Sequence, residues 1–160
     1  MAQAPIQFDR ASGALEGVNA WERLAAMALT LGSKVGAHFS HRGYNMCANL
    51  LRTMLPARGI QVKLNPDAIF EFPYGDGYWS KLLNRTYHYE DELELLFKDS
   101  ADVDYTLLDC GANYGYWSVL VSSKPFGSHK AIAIQPSGQN FPKLANNARI
   151  NGGPFEAMEC

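Results

Sequence analysis

The spacing of apolar positions changes period along the chain and divides it into segments. Residues 1 to 18 show no repeat, and Pro5, Gly13 and Gly17 interrupt them, so the spacing predicts a loosely held, flexible N-terminus. From Asn19 the period becomes helical. Asn19 and Glu22 have capping-box spacing, and Trp21, Leu24, Ala25, Ala28 and Leu31 fall on one helical face before Gly32 closes the element. A second helix is predicted from Tyr44 to Leu55, with Cys47, Leu50, Leu51 and Met54 in register and Pro56 as its stop. Together these form an antiparallel helical pair. At Ile60 the period drops to two. Ile60, Val62 and Leu64 alternate with polar residues, Asn65-Pro66-Asp67 supplies a turn, and Phe70, Phe72 and Tyr74 alternate again, which predicts a β-hairpin. Gly75-Asp76-Gly77 breaks the pattern, and Tyr89, Leu93, Leu96 and Phe97 mark a short helix ending before Lys98-Asp99.

The last sixty residues alternate strand and helix: Tyr105 to Asp109, Gly115 to Ser123, Lys130 to Gln135, Phe141 to Ile150, and Phe155 to Glu159. Such alternation predicts βαβ units around a parallel sheet. The expected fold class is α/β, a Rossmann-like parallel sheet preceded by a helical pair and a β-hairpin. The expected division is a flexible terminus over 1–18, the helical pair, hairpin and short helix over 19–100, and the α/β domain over 101–160.

Composition narrows the function classes. With 160 residues, 47% hydrophobic and 19% charged, the chain is expected to bury a core rather than stay disordered. A formal net charge of −2 argues against nucleic acid or an anionic membrane as partner and favours a small, roughly neutral ligand. Cys47, Cys110 and Cys160 are odd in number and widely spaced, which suits a reducing, cytoplasmic setting better than a disulfide framework. Asp9 and Glu16 interrupt the start, so no signal peptide is expected. The apolar run Leu24 to Leu31 falls far short of the ~20 residues of a membrane span.

The informative stretch is Leu107-Leu108-Asp109-Cys110-Gly111-Ala112-Asn113-Tyr114-Gly115-Tyr116-Trp117-Ser118, an apolar strand that ends in an acid and enters a glycine-containing turn. Open α/β sheets bind ligands at such carboxyl ends. Gly111 removes the side chain that would keep a ligand from the backbone, and Gly115 lets the next helix start close to the sheet. Asp109 can accept from backbone N–H groups or face the ammonium of an amino-acid-like ligand. Asn113 tolerates a left-handed backbone and adds a polar side chain. At the end of the second strand, where nucleotide-binding folds usually hold an acid for ribose hydroxyls, stands Gln135.

The run Asp109-Cys-Gly-Ala-Asn-Tyr-Gly, the strand end Ala133-Ile-Gln-Pro136, and Gln139-Asn-Phe-Pro-Lys-Leu-Ala-Asn-Asn147 through Ile150-Asn-Gly152 resemble the FkbM family of methyltransferases. The similarity covers about Tyr105 to Gly152. It implies a class I methyltransferase fold that binds S-adenosylmethionine and methylates a hydroxyl of a sugar, polyketide or similar small-molecule acceptor. It implies that Asp109, Gly111, Asn113 and Gly115 form the loop under the methionine part, with Gln135 meeting the ribose. The family has glutamate where this chain has Gln135, a loss of charge assistance of about 1 kcal/mol. The family sheet has seven strands and this chain supplies two and the start of a third. The resemblance therefore implies roughly a hundred further residues, at on the order of 30 per βαβ unit. Those would carry the adenine contacts and most of the acceptor pocket. Residues 1 to 160 alone are expected to show no turnover, and the catalytic residues stay unassigned.

Competing readings have weaker support in the residues. A nicotinamide fingerprint needs G-x-G-x-x-G, which the chain lacks. His38 and His41 have metal-ligand spacing without a third ligand, so no metal is expected. Tyr74, Tyr78, Trp79, Tyr87 and Tyr89 suit hairpin packing better than an acceptor pocket. Tyr89 and Glu90 either cap the cofactor cleft or simply begin a helix, while Asp91, Glu92 and Glu94 read as a solvated face. The main alternative to an enzyme is an interaction module that self-associates through an exposed sheet edge.

Overall fold

A computed structural model describes residues 3–37 and 43–160. It divides into two compact units, one of residues 1–62 and 72–88, the other of residues 63–71 and 89–160.

In the first unit, residues expected to be loose are ordered. Strand β1 (Ile6–Asp9) pairs antiparallel with β2 (Leu15–Glu16), and the turn between them closes through Asp9 Oδ1, which accepts from the Ala11 and Ser12 amides. Ile6 is wholly buried and Phe8 nearly so, which ties this hairpin to the core and overturns the flexible terminus expected over 1–18. Helix α1 (Ala20–Ala37) starts at a true capping box: the Asn19 amide donates to Glu22 Oε2 at 2.8 Å, and the Glu22 amide donates to Asn19 Oδ1 at 2.9 Å. Glu22 also pairs with Arg58 at 3.0 Å, so one buried carboxylate serves both the cap and an ion pair.

Two expectations about the helices fail. Helix α1 continues through Gly32, and it buries Glu22, Ala25, Ala26, Leu29 and Ser33 while Trp21, Leu24 and Leu31 face solvent. Helix α2 (Tyr44–Arg52) buries Tyr44 and Ala48 and exposes Cys47 and Leu50. On α1 the small residues Ala25, Ala26 and Ser33 let the backbone approach its neighbours closely, so that face turns inward and the bulkier stripe outward. Strands β3 (Gly59–Asn65) and β4 (Ala68–Pro73) form the predicted hairpin and complete a four-stranded sheet of order β2-β1-β3-β4. On the hairpin Ile60, Val62, Ala68, Phe70 and Phe72 are buried, as is Tyr74 just after it. A 3-10 turn over Trp79–Leu83, not foreseen from the sequence, follows.

The second unit is an α/β layer. Strands β5 (Thr106–Cys110), β6 (Lys130–Ile134) and β7 (Glu156–Met158) form a parallel sheet of order β5-β6-β7, connected through α4 (Tyr116–Val121) and α5 (Phe141–Ile150). Helix α3 (Asp91–Asp99) belongs to this unit and not to the segment before it, so the boundary expected at residue 100 moves to residue 88. The reason is aromatic packing: Phe97 stacks on Tyr105 and lies 5.3 Å, centre to centre, from Trp117.

The tip of the hairpin, residues 63–71, belongs to the second unit and is held by two asparagines four residues apart, Asn147 on α5 and Asn151 just past its end. Asn147 Oδ1 accepts from the Glu71 amide at 2.7 Å and its Nδ2 donates to the Glu71 carbonyl, while Asn151 repeats the pair at Ile69. The two amides thus mimic a neighbouring strand along one edge of β4. No helix among the described residues is long and apolar enough to cross a membrane.

Candidate functional site

The register of the parallel sheet sets Cys110 beside Ile134 and Ile134 beside Met158, so the carboxyl ends of all three strands finish level. Parallel sheets gather ligand-binding loops at this edge. The loop after β5 is fastened to the neighbouring strand by one oxygen: the Ile134 carbonyl accepts from the Gly111 amide at 2.9 Å and from the Ala112 amide at 3.0 Å. Gly111, Asn113 and Gly115 all have positive φ, at 79°, 54° and 84°. Asn113 therefore occupies the left-handed region as its side chain permits.

The two glycines are needed for different reasons. A β-carbon on Gly115 would stand 2.5 Å from Leu144 Cδ1, so this glycine admits the packing of α4 against α5. A β-carbon on Gly111 would meet nothing within 4 Å, so that backbone faces open space where a ligand can approach. Gly115→Val is expected to destabilise the second unit by about 2–4 kcal/mol through overpacking and backbone strain. Gly111→Ala carries the conformational part alone and costs about 1–2 kcal/mol. Denaturant melts of the two variants check the ranking.

Asp109, at the end of β5, is half-buried, and its Oδ2 accepts from Ser118 Oγ at 2.7 Å. Burial pushes its carboxyl above the usual range, the Ser118 hydrogen bonds oppose that rise, and the charge of Glu90 adds to it. Ser118 lies fully buried on α4; it closes the informative stretch of the sequence, which gave it no role. The signal was present as a hydroxyl nine residues after the acid, but only the loop's path brings the two together.

Glu90 is at this site as well. Its backbone is left-handed at φ 54° just before α3, yet its side chain does not cap that helix; Oε2 accepts from Trp117 Nε1 at 2.7 Å. Tyr89 packs edge-on against Tyr116 at 5.2 Å. The segment Tyr89-Glu90 is thus held against the first turn of α4. The aromatic residues expected to act together are divided: Tyr89 belongs to the second unit, while Tyr74, Tyr78, Trp79 and Tyr87 belong to the first. There Tyr78 and Tyr87 flank the ammonium of Lys81 at 4.9 and 5.5 Å.

Gln135 is buried beside the loop. Its backbone N–H donates to the Met158 carbonyl, and its side-chain Oε1 accepts from the Ser137 amide at 3.0 Å. That oxygen keeps a second lone pair for a hydroxyl donor. Asn147 reaches the site from below, since its Nδ2 also donates to the Tyr114 carbonyl at 2.9 Å and so supports the loop. Asp109, Gly111, Asn113, Gly115 and Gln135 are therefore gathered at one sheet edge. His38 and His41 lie outside the described residues.

No protein-family model matches the chain, and neither a curated protein nor a solved structure shows significant similarity to it.

Proposed function

We propose that the second unit binds S-adenosylmethionine at the loop Asp109 to Gly115, and that the chain carries the cofactor-binding part of an FkbM-type methyltransferase acting on a hydroxyl of a small molecule or sugar. The observation that carries this reading is the uncovered, left-handed backbone at Gly111 beside the half-buried carboxylate of Asp109. The donor set suits that cofactor. A carboxylate is available for its ammonium, an open glycine for its methionine chain, and an amide oxygen at Gln135 for a ribose hydroxyl. When bound, the cofactor supplies a sulfonium methyl that passes to an acceptor oxygen, leaving the thioether and a proton. The residues of this chain bind and orient; none is assigned as the base that takes the proton.

The test is equilibrium binding of S-adenosylmethionine and its demethylated product beside a nicotinamide dinucleotide. The account expects the first two to bind and the third not to. Gln135→Glu should tighten S-adenosylmethionine about fivefold to tenfold, because the added charge strengthens a hydroxyl hydrogen bond by about 1 kcal/mol. Preference for the dinucleotide, or indifference to Gln135→Glu, counts against the reading.

One observation favours a second reading as an interaction module that self-associates through the sheet. Strand β5 is an outer strand of its sheet, and Leu108 on it is 59% exposed. On that reading, Leu108→Lys abolishes self-association seen by light scattering.

A further inference from the structure

The first unit carries a cleft that has no part in the cofactor reading. It has two lobes that share Phe8, Gly13, Thr30, Lys34 and Leu83. One lobe, of about 550 Å³, is walled mainly by apolar side chains, among them Leu15, Met27 and Leu31. The other, of about 630 Å³, is mixed, with Ser12, Asn84, Arg85 and Thr86 in its wall beside Phe8 and Leu83. Volumes of this order fall within the ~300–1,000 Å³ range of small-molecule sites.

Among the described residues the charged side chains that line the cleft are cations: Arg23 in the apolar lobe, Arg10 and Arg85 in the other, and Lys34 in both. The Asp9 carboxylate stands beside them and accepts from the Ser12 amide. Three of these cations are fixed by backbone carbonyls: Arg10 donates through Nη2 to the Asn84, Arg85 and Tyr87 carbonyls, Arg23 donates to Leu15 O at 3.3 Å, and Arg85 donates through Nε to Arg10 O at 2.8 Å and through Nη2 to Ala11 O. Arg85 Nη1 rests against Gly13, 3.3 Å from where a β-carbon would stand. The glycine's missing side chain leaves room for that guanidinium. Positioned guanidiniums with remaining N–H donors match the oxygens of a carboxylate or phosphate. An apolar wall next to them matches a hydrocarbon chain.

We propose that this cleft binds a single amphipathic anion, an alkyl or isoprenoid chain with a carboxylate or phosphate head. The chain lies along Met27 and Leu31, and the head meets the lobe of Arg85, Ser12 and Thr86. Met27 and Leu31 are each 63% exposed, so the occupant would cover apolar surface that the protein leaves to solvent.

The experiment titrates the full chain calorimetrically with dodecyl phosphate and with laurate below their micelle concentrations, and with dodecyltrimethylammonium as the opposite charge. The expected result is saturable one-to-one binding of an anionic probe and at least tenfold weaker binding of the cationic one; the two anions tell a phosphate from a carboxylate head. Arg85→Gln and Leu31→Glu should each weaken the anion about tenfold. Leu31 is exposed, so its variant keeps the fold, which far-UV circular dichroism checks. Equal affinity for the cationic probe, no effect of either variant, or no binding at all overturns the proposal. Binding confined to anionic vesicles, or a dimer that excludes the probe, overturns it too.

Discussion

Replacing Asn147 with leucine is expected to lower the stability of the second unit by roughly 3 kcal/mol or more, the largest single effect foreseen for this chain. The side chain is wholly buried and makes three hydrogen bonds, two to Glu71 and one to the Tyr114 carbonyl. Leucine has similar volume but leaves one amide and two carbonyls without their partner, at about 1–3 kcal/mol for each group that water cannot reach. For a unit of this size a loss of 1 kcal/mol lowers the melting temperature by roughly 4–8 °C, so the shift in a calorimetric scan should exceed about 10 °C. Asn151→Leu, at a partly exposed position, should cost less. Equal and small shifts for both variants would mean that the hairpin tip is held by its apolar contacts instead.

The second large effect is expected at Asp109, where stability and binding should move in opposite directions. Burial raises its carboxyl above the ordinary value, so the folded state disfavours the charged form. Folding stability tied to this group is therefore full below the ordinary carboxylate range and is lost as pH rises through the higher folded value. At neutral pH the carboxylate is a stability cost, and Asp109→Asn should raise the melting temperature, with the advantage vanishing in acid. Asparagine keeps an oxygen to accept from Ser118 but loses the charge that faces a ligand ammonium. Losing a charge-assisted hydrogen bond of about 1.5–3 kcal/mol corresponds to roughly tenfold to hundredfold weaker S-adenosylmethionine binding. A variant that is both less stable and unchanged in affinity would remove Asp109 from the site.

What the sequence reveals depends on how far apart the cooperating residues are. The capping box of Asn19 and Glu22 and the turn at Asn65 and Asp67 are legible because both partners lie within a few residues. The alternation of the last sixty residues gives the parallel strands for the same reason, since each βαβ step is local. Ile6 and Phe8 alternate too, but two positions in a four-residue strand are too few to outweigh the glycines around them. The outward stripe of Trp21, Leu24 and Leu31 misleads because periodicity finds an apolar face without saying which face the neighbours choose. Within the site, Asp109, Gly111, Asn113 and Gly115 stand out as a motif. The parts played by Ser118 and Asn147 do not, and Glu90 is legible only as one of two alternatives, because their partners are nine, seventy-six and twenty-seven residues away.

The most direct test of the central claim is a calorimetric titration of the intact chain with S-adenosylmethionine, run beside Asp109→Ala after both proteins are shown to be folded. The account predicts saturable one-to-one binding by the unaltered chain and at least tenfold weaker binding by the variant. Absence of saturable binding, or equal affinity of the two proteins, would contradict it.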